Sequence, residues 1–592
     1  MKLEKLRSSM KAAKIDYYVI PTDDFHGSEY VGDFFKARAW VSGFSGSAGT
    51  LVVGEVFAGL WTDGRYFLQA AQELEGTGID LMKMGEAGVP TITEYLKEHL
   101  KADMTVGFDG RCVSANFVDE LKNALGDVEI NIAYERDLVG EIWEGRPELS
   151  KKQAWLLADE ACGASANEKI AGIRAEMKKK GAESLLLTSL DDIAWLLNMR
   201  GNDIRYNPTV LSFCYITAKE VRLFIQKGVL DAEQENKFLA NGICLDEYLN
   251  VYEYIKTLTV KNMWLNDQKT SYAILENLPK DVELIKGMTP VAYTKCLKNA
   301  KEQENMKKAH IKDGVAMTKF MYWFKQNVGK EEMTEISVAE KVKAFREAEE
   351  GFVEESFETI CGYGPHGAII HYGATEESNV NILPEGLLLV DSGGQYLEGT
   401  TDITRTFACG PVSAEAKKHF TMVLRGNLNL GAVKFKEGCT GENLDMIARA
   451  PFWAEGLDYN HGTGHGIGFV LNVHEAPGRI MWKRRPGYGE NEPFAEGMIV
   501  SNEPGFYLEG QYGIRLENLI LCKNAEKTEY GQFLNFETIT LVPFDLDAVD
   551  VSLLDCKEKQ LLNDYHSRVY TEISPYLTEE EKEWLKEATR AV

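Results

Sequence analysis

The chain is 592 residues long and carries 65 basic and 91 acidic side chains, a formal net charge of −26. That acidic excess argues against nucleic acid or an anionic membrane surface as the main partner. The length exceeds what one compact core organises, and about 150 residues per domain gives three or four domains.

From the N-terminus, Met1 to Tyr18 sets Leu and Lys at helical spacing without an apolar core of signal-peptide length. No apolar run approaches the ~20 residues needed to cross a bilayer, so no membrane partner is expected. Ten cysteines are scattered with no Cys-x-x-Cys pair, the pattern of reduced thiols in a cytoplasmic protein rather than of a disulfide framework or a zinc ribbon.

Leu6-Arg7-Ser8-Ser9-Met10-Lys11 predicts an amphipathic helix leading into an apolar strand, Tyr17 to Ile20, and then Asp23-Asp24. The same succession returns at Ile173-Arg174-Ala175-Glu176-Met177-Lys178, Leu185 to Leu187 and Asp191-Asp192. Ala39-Trp40 and Ala194-Trp195 each precede a further pair of apolar strands. These matches predict two related α/β domains, over 1–155 and 156–305. Glu144 to Gln153 is polar, contains Pro147 and reads as a linker. From Asn299 to Trp323, Met306, His310, Val315, Met317, Phe320 and Met321 recur at helical spacing and open a third domain, 306–545. The charged tail 546–592 reads as a helical C-terminal extension.

Five motifs follow one another in the third domain. Leu387-Leu388-Leu389-Val390-Asp391-Ser392-Gly393 ends an apolar strand on a carboxylate, and a buried strand end is a fixed platform for a ligand. In Thr400-Thr401-Asp402-Ile403-Thr404-Arg405-Thr406, period-2 alternation puts Asp402, Thr404 and Thr406 on one face. Asp391 and Asp402 are expected on adjacent strands joined by a turn from Gly393 to Gly399. His461-Gly462-Thr463-Gly464-His465-Gly466-Ile467-Gly468 is too glycine-rich for a helix, since each glycine costs about 1 kcal/mol there. It predicts extended backbone in close approach to a neighbour, with His461 and His465 on one face of a strand. Met498-Ile499-Val500-Ser501-Asn502-Glu503-Pro504-Gly505 delivers Glu503 from a strand into a turn. In Gly513-Ile514-Arg515-Leu516-Glu517-Asn518-Leu519, Arg515 shares a face with Glu517 and can hold a ligating carboxylate in orientation.

Singly, each motif is ordinary; a strand-end Asp is usually a turn residue. Together, Asp391, Asp402, His465, Glu503 and Glu517 form a metal-ligand set. Four converging carboxylates would repel one another and be forced to protonate, whereas two divalent ions balance them. A water bridging two such ions can be deprotonated near neutral pH and attack a carbonyl. Oxygen-rich ligation with one imidazole favours manganese, cobalt, iron or zinc over a structural zinc.

This ordered set, Asp, Asp, His, Glu, Glu, resembles the pita-bread metallopeptidases, and most closely the large three-domain cytosolic Xaa-Pro aminopeptidases. The resemblance extends to Val41-Ser42-Gly43-Phe44-Ser45-Gly46-Ser47-Ala48-Gly49-Thr50, to Leu60 through Gln69, to Gly367-Ala368-Ile369-Ile370-His371-Tyr372 and to His461 through Pro477, and no ligand departs from the pattern. It implies an α/β (α+β) fold: two creatinase-like N-terminal α/β domains, then a pita-bread catalytic domain with a curved antiparallel sheet.

By that resemblance Asp391 and Asp402 bind one ion. Asp402, His465, Glu503 and Glu517 bind the other, with Asp402 and Glu517 bridging and manganese the expected metal. His371, His461 and His474 are catalytic together with Glu503, which handles the proton. His371, His465 and His474 line the substrate, and Arg65 in Asp63-Gly64-Arg65 contacts it from the first domain. His366 and His419 match nothing in the family and are expected to be structural or solvated. The implied reaction, through a metal-bridging hydroxide, releases the first residue from peptides with proline in second position. A cytoplasmic homodimer is implied with it. Two other readings stand beside this one: a prolidase restricted to Xaa-Pro dipeptides, and a non-catalytic pita-bread binding protein.

Overall fold

A computed structural model describes residues 2–483 and 492–592. The chain forms two compact units, Met1–Asp159 with Ala164–Ala292, and Glu160–Gly163 with Tyr293–Val592. All ten cysteines are unbridged. No helix among the described residues is long and apolar enough to cross a membrane.

The N-terminal unit contains two six-stranded sheets. The first comprises β1 (Tyr17–Pro21), β2 (Thr50–Val53), β3 (Ala58–Thr62), β4 (Asp80–Lys83), β5 (Thr105–Gly107) and β6 (Asn131–Ala133), in the order β4-β3-β2-β1-β5-β6. The second comprises β7 (Ser184–Leu187), β8 (Ser212–Thr217), β9 (Val221–Ile225), β10 (Ile243–Glu247), β11 (Asn262–Leu265) and β12 (Glu283–Lys286), in the order β10-β9-β8-β7-β11-β12. The two orders are the same permutation. Each central strand, β1 or β7, runs antiparallel to the next strand in sequence and parallel to the fifth of its sheet. The internal repeat is therefore a repeat of topology as well as of sequence pattern.

The local causes match too. Helix Lys2–Ala13 buries Leu6 and Met10 against the first sheet's core. Its counterpart Ala166–Lys180 buries Ile170, Ile173 and Met177, starts on a Ser165–Glu168 capping box and ends on Gly181 in the left-handed region. Glu144 to Gln153 is irregular, as its composition predicts.

The first long helix of the C-terminal unit has 28 residues, Ala300–Asn327, and is capped reciprocally by Asn299 and Glu302. This unit's largest sheet is six-stranded and antiparallel throughout. It contains β13 (Gly464–Gly466), β14 (Ile499–Asn502) and β15 (Asn518–Thr528), with β14 between the other two. A separate three-stranded sheet pairs Leu387–Ser392 with Ile403–Ala408, placing Asp391 opposite Thr404.

Two local expectations need correcting. The stretch from Gly393 to Gly399 is not a simple turn. It holds strand Gly394–Tyr396, which pairs with Gly399–Thr400 and with Phe352–Glu355 in a sheet of its own. The chain doubles back so tightly that a Cβ on Gly393 would lie 2.1 Å from the Thr401 carbonyl oxygen. His461 and His465 also do not share a strand: β13 spans only Gly464–Gly466, and His461 lies in the loop before it. The close neighbours that the glycines accommodate are strand carbonyls, since a Cβ on Gly464 would meet Ser501 O at 2.0 Å.

The C-terminal helices, Cys556–Ile573 and Glu579–Ala588, bury Leu562, Val569, Ile573 and Leu585 in the cores of this unit.

Candidate metal centre

The site is built where several strands end. Asp391 is the fifth residue of strand Leu387–Ser392, and Asp402 stands one residue before strand Ile403–Ala408. His465 is the middle residue of β13. Glu503 follows β14 directly, and Glu517 immediately precedes β15. Strand ends are rigid and carry free backbone groups to hold the next residue. Glu503 N–H donates to Thr463 O at 2.8 Å and Glu517 N–H to Thr404 O at 3.0 Å.

Ligand atoms of Asp402, His465 and Glu517 lie within 4.8 Å of one another. His465 Nε2 is 3.4 Å from Asp402 Oδ2 and 3.7 Å from Glu503 Oε1. His465 Nδ1 is 3.1 Å from Gly466 O, to which it can donate, so that Nε2 is the nitrogen facing the carboxylates. Thr404 Oγ1 donates to Glu517 Oε2 at 2.8 Å. Asp391 accepts from Arg515 at its Oδ2, from Nη2 at 2.6 Å and Nε at 3.1 Å, while its Oδ1 is buried with no hydrogen-bond partner among the described residues.

The electrostatics are those of acids crowded together. Burial pushes Asp402 well above the usual carboxylate range, and repulsion from Asp391 and Glu503 adds to it. Glu517 is raised by burial and then by Asp402, Asp391 and Glu503. Glu503 is pushed up to about 7 by burial, although Arg515 pulls the other way. A set of carboxylates this unfavourable without a counter-cation, with one buried oxygen unpartnered and an imidazole nitrogen turned toward it, fits hard-to-intermediate divalent ions.

Around these five, His474 stands edge-on to His465, ring centroids 4.3 Å apart. His461 accepts at Nε2 from Tyr507 OH at 2.8 Å and donates from Nδ1 to Gly462 O at 2.7 Å. Arg515 Nη1 donates to the same Tyr507 oxygen at 2.6 Å. An unbroken chain thus runs from Asp391 through Arg515 and Tyr507 to His461. His371 lies in the turn that follows the 3₁₀ helix Gly364–Ala368, and Arg515 Nη2 reaches the neighbouring Ile370 O at 3.3 Å. His366 is tied to buried Glu335 at 2.9 Å, and His419 to Tyr512 OH at 2.9 Å, as structural histidines are. Arg65 belongs to the N-terminal unit, where Asp63 binds it bidentately at 2.8 and 2.9 Å and Glu29 stands 3.4 Å away.

Sequence reasoning missed Tyr507 and Asn427. Tyr507 is in strand Gly505–Leu508, and its only local hint is its place four residues beyond Glu503. Asn427, on helix Ala414–Gly431, donates to Asn502 O at 2.8 Å and Leu516 O at 3.0 Å, the carbonyls just before Glu503 and Glu517. No signal near Asn427 in sequence points to that bridge.

Known proteins resemble this chain along nearly its whole length. Residues 304–524 match the profile of metallopeptidase family M24, and 532–592 that of the C-terminal region of peptidase M24. Residues 2–134 and 145–302 match two creatinase/prolidase N-terminal domain profiles. Xaa-Pro aminopeptidase 1 of Dictyostelium discoideum is 38% identical over 99% of this chain and 95% of its own. The chain belongs to metallopeptidase family M24. Among solved structures, the X-prolyl aminopeptidase of Caenorhabditis elegans, described as a cytosolic enzyme with a di-nuclear active site, superposes with a TM-score of 0.95 at 33% identity, covering 100% of this chain and 99% of that one. The Xaa-Pro dipeptidase of Bacillus anthracis covers 64% of this chain and 99% of its own, with a TM-score of 0.51 at 26% identity. The fold is accordingly two creatinase-type domains followed by an M24 catalytic domain, and the chain is a metallopeptidase.

Proposed function

We propose that this metallopeptidase is a two-metal aminopeptidase that releases the first residue of peptides whose second residue is proline. The observation that carries the proposal is the convergence of Asp402, His465 and Glu517 within 4.8 Å, with Glu503 and Asp391 beside them. Asp391 and Asp402 would hold one ion, and Asp402, His465, Glu503 and Glu517 the other. Divalent ions supply Lewis acidity and a nucleophile competent near neutral pH; the ligand chemistry suits manganese, with cobalt, iron and zinc also accommodated.

The remaining work falls to the chain. Glu503, raised to about 7, can take up and release a proton at its carboxylate near neutrality. His474, packed against His465, would donate a hydrogen bond to the oxyanion that forms at the scissile carbonyl. By the family resemblance, His371 would line the substrate side of the site. His461, with Nε2 and Nδ1 both hydrogen-bonded, braces Tyr507 and Arg515 and so fixes Asp391. An Xaa-Pro bond has no N–H and a fixed φ, so its nitrogen demands no acceptor in the ground state. We further propose a cytoplasmic homodimer as the working form, on the strength of the family resemblance.

The deciding assay compares an Xaa-Pro-Xaa tripeptide with the matching Xaa-Pro dipeptide, before and after chelation and metal add-back. Tripeptide cleavage restored by metal is expected. Cleavage of the dipeptide alone would make the chain a prolidase. Inactivity with and without metal would make it a binding protein.

A further inference from the structure

Arg405 projects from strand Ile403–Ala408 and is fully buried. Period 2 turns it away from the face that carries Thr404 and Thr406. Its guanidinium makes no ion pair among the described residues, which is unusual for a buried charge. It is held instead by neutral acceptors. Nη1 donates to Thr404 O at 2.9 Å and Glu517 O at 2.5 Å; Nη2 donates to Asn518 Oδ1 at 2.7 Å, Val542 O at 2.7 Å and Tyr565 OH at 3.0 Å; Nε donates to Pro543 O at 3.2 Å. Arg405 therefore ties the backbone of ligand Glu517 to the strand that follows ligand Asp402.

Tyr565, on the C-terminal helix Cys556–Ile573, is the side chain that closes this arrangement. Its hydroxyl accepts from Arg405 and from Val542 N–H at 3.3 Å, and donates to Val542 O at 2.8 Å. One phenol thus anchors both the guanidinium and the segment that supplies two of its acceptors.

We propose that Tyr565 is a positioning residue for the metal centre, acting through Arg405 on the backbone at Glu517. The C-terminal helix is then a working part of the site, although it contributes no ligand. The proposal rests on the metal reading above. Displacing groups that orient a ligand typically costs 10–100-fold in metal affinity, and losing one of several anchors belongs at the low end.

The test is manganese titration of the metal-free full-length protein by calorimetry, with thermal unfolding of each variant alongside. Tyr565→Phe keeps the ring and removes only the hydroxyl; Val569→Ala thins the same helix's buried face without touching Arg405. The expected result is about 10-fold weaker metal binding in Tyr565→Phe and wild-type affinity in Val569→Ala, whatever each does to the melting temperature. Arg405→Lys should weaken binding at least as much, and combining it with Tyr565→Phe should add little further loss. Unchanged affinity in Tyr565→Phe, parallel losses in Val569→Ala, or full additivity with Arg405→Lys would each overturn the proposal. A wild-type protein that binds no metal would overturn the metal reading itself, and this proposal with it.

Discussion

Two arginines of the N-terminal unit and two of the catalytic unit are used in opposite ways. In the N-terminal unit Arg65 and Arg111 each sit two residues after an aspartate, in Asp63-Gly64-Arg65 and Asp109-Gly110-Arg111, and each closes on it with the same pattern. The backbone N–H and Nε go to one carboxylate oxygen and Nη2 to the other, at 2.8 to 3.1 Å. In the catalytic unit Arg515 reaches Asp391, 124 residues earlier in the chain, and Arg405 reaches carbonyls and side chains more than 100 residues later. A locally closed arginine completes a turn and needs nothing else from the fold. A long-range one depends on the tertiary structure and in turn determines where a distant ligand points.

The sharpest way to break the comparison is at the ligands themselves. Glu517→Gln or Asp402→Asn should lower kcat/KM by about 10³-fold or more, with metal content falling in step, because each removes a charge on which the centre depends. Full metal content with full activity in either variant would remove that residue from the site. Arg515→Lys comes next. Lysine keeps the charge but not the fork that binds Asp391 and Tyr507 together, so a loss of roughly 10–100-fold in activity or metal affinity is expected. Arg111→Lys, the matching change at a locally closed arginine, should leave the kinetics alone.

The chelated protein offers a third test, through pH. Glu503 stands at about 7 in the fold against an ordinary 4.5, and Asp402 and Glu517 are raised as well. A raised folded pKa means that the folded state binds more protons than the unfolded one. As far as Glu503 goes, the metal-free protein is therefore most favoured below about pH 4.5 and loses stability as pH rises through about 7, and Asp402 and Glu517 act in the same direction. His566 has the opposite sign. Burial lowers it to about 3, so its contribution is intact above pH 6.5 and lost as pH falls toward 3. Urea midpoints from pH 4 to 8 should decline at the alkaline end only when metal is absent, and the acid decline from His566 should show in the loaded protein and be offset by the raised carboxylates in the chelated one. A chelated protein as flat between pH 6 and 8 as the loaded one would contradict the assignment. The smallest effect belongs to Arg65. If it contacts substrate as the family resemblance implies, Arg65→Ala raises KM severalfold at constant kcat while Arg111→Ala does not. Equal KM values for both would assign Arg65 to closing its turn.

Much of this was legible in the sequence, for identifiable reasons. The two N-terminal domains announced themselves because a helix leading into a buried strand has a short-range signature, and it occurs twice. The five candidate ligands could be read as a set because each stands at the end of an apolar strand or beside a glycine that permits close approach. That Arg515 would hold a candidate ligand carboxylate was read from its place beside Glu517, and the carboxylate it holds is Asp391. Loop geometry was harder. The hairpin inside Gly393 to Gly399 and the position of His461 outside the strand depend on which backbone lies opposite, which local periodicity does not encode.

What the sequence determined by itself, then, is whatever the chain settles within a few residues: strand ends, glycine clearances, the Asp-Gly-Arg turns, the repeated helix–strand unit and which side chains are candidate ligands. What only the tertiary structure decided is which distant groups meet: Asn427 beneath Glu503 and Glu517, Tyr507 between Arg515 and His461, and Tyr565 behind Arg405. The physical reason is that a hydrogen bond across 100 residues has no periodicity to read. It exists because buried polar groups must find partners, and only packing decides which partners are within reach.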